Sequence, residues 1–153
     1  MTKPKSKILV TVILMLVASS VAAQTDRVID EIIEQEKASF GNAVLLILAA
    51  SGAISEEASV EDALAFLEQS GWEVRGNTAN EPVELGDLCY VIMRSFEING
   101  GLFYSLFPGP RYAPRELQYL GFFFGNFSAY RILSGEEVLR ILGSTLAWKE
   151  EQS

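Results

Sequence analysis

Apolar positions along this chain fall into helical stripes, and two of the striped stretches repeat in the same register 50 residues apart. From Asp26 to about Ala50, Val28, Ile29, Ile32 and Ile33 form a stripe with Asp30, Glu31 and Glu34 outside it. That spacing predicts a helix with one apolar face. Phe40-Gly41-Asn42 is the expected break in it. Ala43–Ala50 is apolar on every side, as in a helix buried from several directions, and Gly52 suits a left-handed stop.

A second helix is expected after Ser59-Val60-Glu61-Asp62, which has the layout of a capping box. Ala63, Leu64, Phe66 and Leu67 supply its apolar face, and Gly71 stops it. Arg75–Glu81 is polar and loop-like. Leu85–Ile98 follows as a helix with Leu88, Val91, Ile92 and Phe96 inward and Arg94 and Glu97 toward water. Asn99–Tyr112 is punctured by Gly100-Gly101 and Pro108-Gly109-Pro110, so regular structure is not expected there. The same grammar then recurs. Pro114 fits a first helical turn, Leu117 and Leu120 face inward, Gly121 stops the helix and Gly125–Arg131 is loop. Ser134-Gly135-Glu136-Glu137 is a second capping box, ahead of an apolar face made by Val138, Leu139, Ile141, Leu142, Thr145 and Leu146. Lys149–Ser153 reads as a solvated tail.

Slid by 50 residues, Val60–Ile98 falls on Pro110–Trp148 without a gap. Ala63, Leu67, Gly71 and Ala79 meet Ala113, Leu117, Gly121 and Ala129. Val83, Asp87, Leu88, Val91 and Ile92 meet Leu133, Glu137, Val138, Ile141 and Leu142. A one-residue slip would expose core positions, so the ungapped match predicts stacked units that bury one another's faces. The expected architecture is all-α: two tandem helix–loop–helix repeats in residues 55–153, an N-terminal helical segment in 24–54, and a leader in 1–23.

The leader reading rests on three parts. Lys3, Lys5 and Lys7 make a basic start, Ile8–Val17 is apolar apart from Thr11, and Val21 and Ala23 are small residues ahead of Gln24. This is the layout of a cleavable signal peptide. The alternative is a retained N-terminal anchor, against which stands an apolar run shorter than the roughly 20 residues a membrane helix needs; after cleavage no span is expected. Cleavage also changes the charge. Nine basic residues against 20 acidic ones leave the mature chain at −11. Such a chain is repelled by phosphate backbones, which argues against nucleic-acid binding.

The chain has no histidine and one cysteine, Cys89. Histidine-based catalysis and histidine metal sites are excluded, and no internal disulfide can form. Cys89 lies in an apolar helix pattern and reads as a small buried residue. Adjacent acids such as Glu56-Glu57 and Glu136-Glu137 are read as helix-start charge and not as a catalytic pair. No catalytic residue, metal or cofactor is expected.

The order helix, Gly stop, loop, short apolar-polar-acidic motif, helix resembles the S-layer homology (SLH) module over Ser59–Trp148. Asn42–Ile54 is similar to the last helix of an earlier, degenerate unit. The family's Ile-Thr-Arg-Ala-Glu motif is matched by Val83-Glu84-Leu85-Gly86-Asp87 and by Leu133-Ser134-Gly135-Glu136-Glu137. Both copies keep the apolar first and acidic last positions, and both lack the arginine that helps the family hold an anionic wall polymer. Small exported bacterial proteins with an SLH-like region and a Phe-Pro-Gly-Pro-Arg-Tyr insert are also similar. The resemblance implies a fold more than a ligand.

Ten of the 16 aromatic residues lie between Phe103 and Tyr130, with Arg111, Arg115 and Arg131 in or beside this stretch. Exposed rings next to arginine suit sugar rings, carboxylated polymers or a protein partner. Phe103, Tyr104, Phe107, Arg111, Tyr112, Arg115 and Tyr119 are the candidate contact residues. Phe107 is also expected to plug the core, and the rings of the linker to pack between units. The function expected is that of a non-catalytic exported module of the periplasm or cell envelope that binds peptidoglycan or another wall polymer. The alternative is a protein–protein adaptor in an envelope complex.

Overall fold

A computed structural model of the chain describes residues 26–76 and 78–153. The expected leader, 1–23, lies outside the described residues. The described residues are mostly helical: α1 (26–33), α2 (Phe40–Ser51), α3 (Val60–Ser70), α4 (Leu85–Ser95), α5 (Leu102–Leu106), α6 (Ala113–Tyr119) and α7 (Gly135–Gln152). Extended pairing among them is confined to two isolated antiparallel bridges, Ser39 with Pro82 and Glu84 with Ile132. No helix among the described residues is long and apolar enough to cross a membrane.

Two helices form the centre. In α2 every residue from Phe40 to Leu48 is buried, because α3, α4 and α7 pack around it. In α4 every residue from Leu85 to Met93 is buried, between α2, α6 and α7. The sequence stripe of α4 is therefore one face of a helix that is covered all round. A single apolar core runs from Ile32 to Leu142 and crosses the expected boundary at residue 54.

The segments entering α2, α4 and α7 close on one another. Ala38 N–H donates to Leu133 C=O (2.8 Å), Leu133 N–H to Val83 C=O (3.1 Å), and Val83 N–H to Ala38 C=O (2.8 Å). The three residues are fully buried, and each stands two positions before its helix. Buried backbone groups must find partners, and here they find them in a closed ring of three. Next to the ring, Gly135 N–H donates to Gln35 C=O (2.9 Å).

Both capping boxes form. Ser59 accepts from Asp62 N–H and Ser134 from Glu137 N–H, with each acid returning to the serine N–H. Gly71 and Gly121 end their helices in the left-handed region, at φ +67° and +81°. The expected break at Phe40-Gly41-Asn42 is corrected. The chain leaves helix after residue 33, and Phe40-Gly41-Asn42 is the first turn of α2. Gly41 is there for close approach, since an added Cβ would meet Val60 Cγ1 at 2.5 Å. Two further expectations are also corrected. The linker holds a helix, α5, and residues 149–152, exposed as expected, are the end of α7 and not a separate tail.

Glu137 links a cap to an ion pair. Burial pushes its carboxyl up, but the Arg131 guanidinium and the Ser134 N–H outweigh this and hold it below the ordinary glutamate value. A lowered carboxylate stabilises the fold above its unfolded value, and that gain disappears as pH falls through the folded value. Glu137→Gln should cost about 1 kcal/mol at pH 7, the size of a helix cap, because water screens the pair. Denaturant titrations of both proteins should show the difference closing in acid below the ordinary glutamate range. A difference that persists unchanged there would contradict the charge-based account.

Candidate functional site

A cleft of about 420 Å³ opens between α5 and α6, lined by Gly101, Leu102, Phe103, Tyr112, Arg115, Glu116 and Tyr119. Four of the seven candidate residues meet in it: Phe103, Tyr112, Arg115 and Tyr119. The sequence positions them through two short helices. Gly101 N–H donates to Glu116 Oε2 (2.8 Å), so an acid in the first turn of α6 fixes the start of α5. Pro114 sets the first turn of α6, and buried Ala113 and Leu117 seat that helix on α4. Tyr119 then projects from the last turn, 90% exposed, and Phe103 is 62% exposed.

Arg111 and Phe107 extend the surface past Tyr112. The Arg111 guanidinium lies 5.9 Å from the Tyr112 ring centre, and the Phe107 ring lies 6.5 Å from the same ring. Tyr112 is thus half-buried between a cation and a second ring. Neither Arg111 nor Arg115 has a carboxylate within ion-pair distance among the described residues. A guanidinium held near a ring and free of an acid suits an anionic or hydroxyl-rich partner.

Two candidates are placed differently from expectation, for one reason. Phe107, expected in the core, is 62% exposed, and Tyr104, expected on the surface, is 7% exposed. The linker is helical at α5, so Phe103 and Phe107 share a face at a spacing of four while Tyr104 points about a third of a turn away, onto Tyr90. Arg131 is also taken up internally. It donates from Nη1 to Glu137 and from Nε to Asn126 C=O (3.1 Å).

The sequence reading missed Leu102, Leu106 and Glu116. Leu102 and Leu106 are exposed and carry the aromatic face across α5. Their spacing of four was the available signal, hidden by the Gly-Gly and Pro-Gly-Pro flanks. Phe124, Phe127 and Tyr130 are exposed as well, and Arg75 stacks 4.3 Å from the Tyr130 ring centre. Phe122 and Phe123 pack inward.

Two titratable groups of α4, Asp87 and Cys89, lie in the core. Asp87 is buried and accepts from Arg75 N–H and Gly76 N–H, both at 2.9 Å, which ties these two residues to α4. Burial raises its carboxyl above the ordinary value, and the two N–H bonds only partly offset this. Burial likewise pushes the Cys89 thiol far up, away from the reactive thiolate.

No protein-family model, curated protein or solved structure matches this chain.

Proposed function

We propose that this chain is an exported, non-catalytic envelope module that holds a wall polymer in the cleft between α5 and α6. The observation that carries this reading is the meeting of Phe103, Tyr112, Tyr119 and Arg115 in one open cleft, where Arg115 has no ion-pair partner among the described residues and the one acid, Glu116, accepts from Gly101 N–H. Rings stack on the apolar faces of sugars, and a guanidinium takes carboxylates or hydroxyls between them. The expected mature charge of −11 opposes an anionic polymer at long range, so the contact rests on the arginines of this one face.

We further read the fold as tandem SLH-like units. In support, residues matched at the 50-residue offset play matched roles. Val83 and Leu133 are both in the backbone ring, Gly71 and Gly121 both end helices, and Asp87 and Glu137 both accept backbone N–H groups. Ala38 holds the equivalent place in the ring before α2, in line with a degenerate earlier unit. The resemblance also has a physical limit. Leu85 and Gly135 stand where the family carries arginine; both are buried, and at Gly135 even an added Cβ would overlap the Ile32 carbonyl oxygen. Binding is therefore assigned to the asymmetric aromatic face and not to the motif positions.

The second reading, a protein adaptor, is favoured by exposed Leu102 in the cleft wall and exposed Leu106 further along α5. Salt separates the two. Retention on purified sacculi should fall several-fold between about 50 and 500 mM salt if Arg115 and Arg111 hold an anionic polymer. Salt-insensitive capture of a protein, with no retention on sacculi, would replace the first reading with the second.

A further inference from the structure

Behind α5, on the side away from the aromatic cleft, lies a second cleft of about 480 Å³ that shares none of its lining residues. Its walls include Arg94, Glu97, Asn99, Tyr104 and Ser105. We propose that this cleft binds a small zwitterion of the α-amino-acid type, with Arg94 on the carboxylate and Glu97 on the ammonium. The proposal does not rest on the wall-polymer reading.

Three independent features support it. The Tyr104 hydroxyl is buried and has no hydrogen-bond partner, while its residue lines the cleft. An unpaired buried hydroxyl is costly, and a bound acceptor would satisfy it. Burial, with a smaller push from Tyr90, raises this phenol to about 12, with Arg94 drawing it down and Glu116 pushing it up, so at neutral pH it is a donor.

Glu97 is the second feature. It sits at φ +56°, the one non-glycine residue with positive φ among those described. Ile98 N–H donates to Met93 C=O (2.9 Å), which makes this the left-handed position of a helix-ending motif where glycine fits best. A glutamate there carries backbone strain and sets a carboxylate at the cleft. Strain kept in this way points toward function.

The third feature is charge. Arg94 has no carboxylate within ion-pair distance among the described residues, and its guanidinium lies 5.6 Å from the Trp72 ring centre. Glu97 has no cation within that distance either. A simple anion would meet Glu97, and a simple cation would meet Arg94. A ligand carrying both charges a few ångströms apart satisfies both. The C-terminal end of α4 adds negative potential on the ammonium side.

The ligand could be a free amino acid or the amino-acid end of a wall peptide, and NMR titration of the purified protein separates the sources. One arm uses glycine, L-alanine and D-alanine. A second uses a muropeptide with a free zwitterionic diamino-acid end. Controls are N-acetylalanine and alaninamide, which each lack one charge. Saturable shifts at amides from Arg94 to Ser105 are expected in at least one arm, with either control at least tenfold weaker. Arg94→Gln, at an exposed position, should lower affinity at least tenfold. Tyr104→Phe should weaken binding several-fold yet raise Tm, because it removes an unpaired hydroxyl. No saturable shift in either arm, or controls that bind as well as their parents, would overturn the proposal. A Tyr104→Phe protein that gains stability and binds unchanged would remove Tyr104 from the site.

Discussion

Gly135→Ala should destabilise the fold by at least about 3 kcal/mol, and Gly143→Ala, eight residues along the same helix, should stabilise it. The two substitutions are chemically identical. At Gly135 an added Cβ would overlap the Ile32 carbonyl oxygen, in the backbone crossing where Gly135 N–H donates to Gln35 C=O. Neither partner is the end of a flexible side chain, so relief requires moving α1 away from α7. The ring of Ala38, Val83 and Leu133 lies beside this crossing and would be strained with it. At Gly143 an added Cβ meets nothing, and alanine is the better helix former by about 0.5–1 kcal/mol. Urea titrations give both values. Equal small effects at the two positions would mean that the crossing is looser than described.

Periodicity revealed the helices that are long enough to display it. The stripes of α3 and α7, their serine caps and their stop signals are local chemistry, and local chemistry is what a sequence records best. Gly41 was harder to read. A glycine inside an apolar stretch marks either a break or a close approach, and only the position of Val60 and Ala79 decides between them. The ring was invisible for a similar reason. Its residues are ordinary apolar positions before helices, and its hydrogen bonds are made by backbone at long sequence separation.

The site was half legible. Composition located the aromatic–arginine stretch, and Phe103, Tyr112, Arg115 and Tyr119 do converge. Which ring faces which way depends on the five residues of α5, too few for a stripe to be recognised between Gly-Gly and Pro-Gly-Pro. Assigning a loop there reversed Tyr104 and Phe107. The second cleft left no compositional trace, since Arg94 and Glu97 look like solvated residues on an exposed helix face until the left-handed turn at Glu97 is known.

The largest functional effect is expected from Arg115→Ala combined with Tyr119→Ala. Both side chains are exposed, so the double variant should fold with a Tm within a few degrees of the wild type. Its affinity for a wall polymer should fall at least tenfold, through loss of one charged hydrogen-bonding group and one stacking ring. Arg111→Ala, at the edge of the surface, should weaken binding by a smaller factor.

Co-sedimentation of the mature protein with purified sacculi at low salt therefore tests the central claim most directly. The account predicts that the wild type is retained, that Arg111→Ala is retained less, and that the Arg115→Ala/Tyr119→Ala variant stays in solution while folded. Absence of retention for the wild type and variants alike, or equal retention of all three, would contradict it.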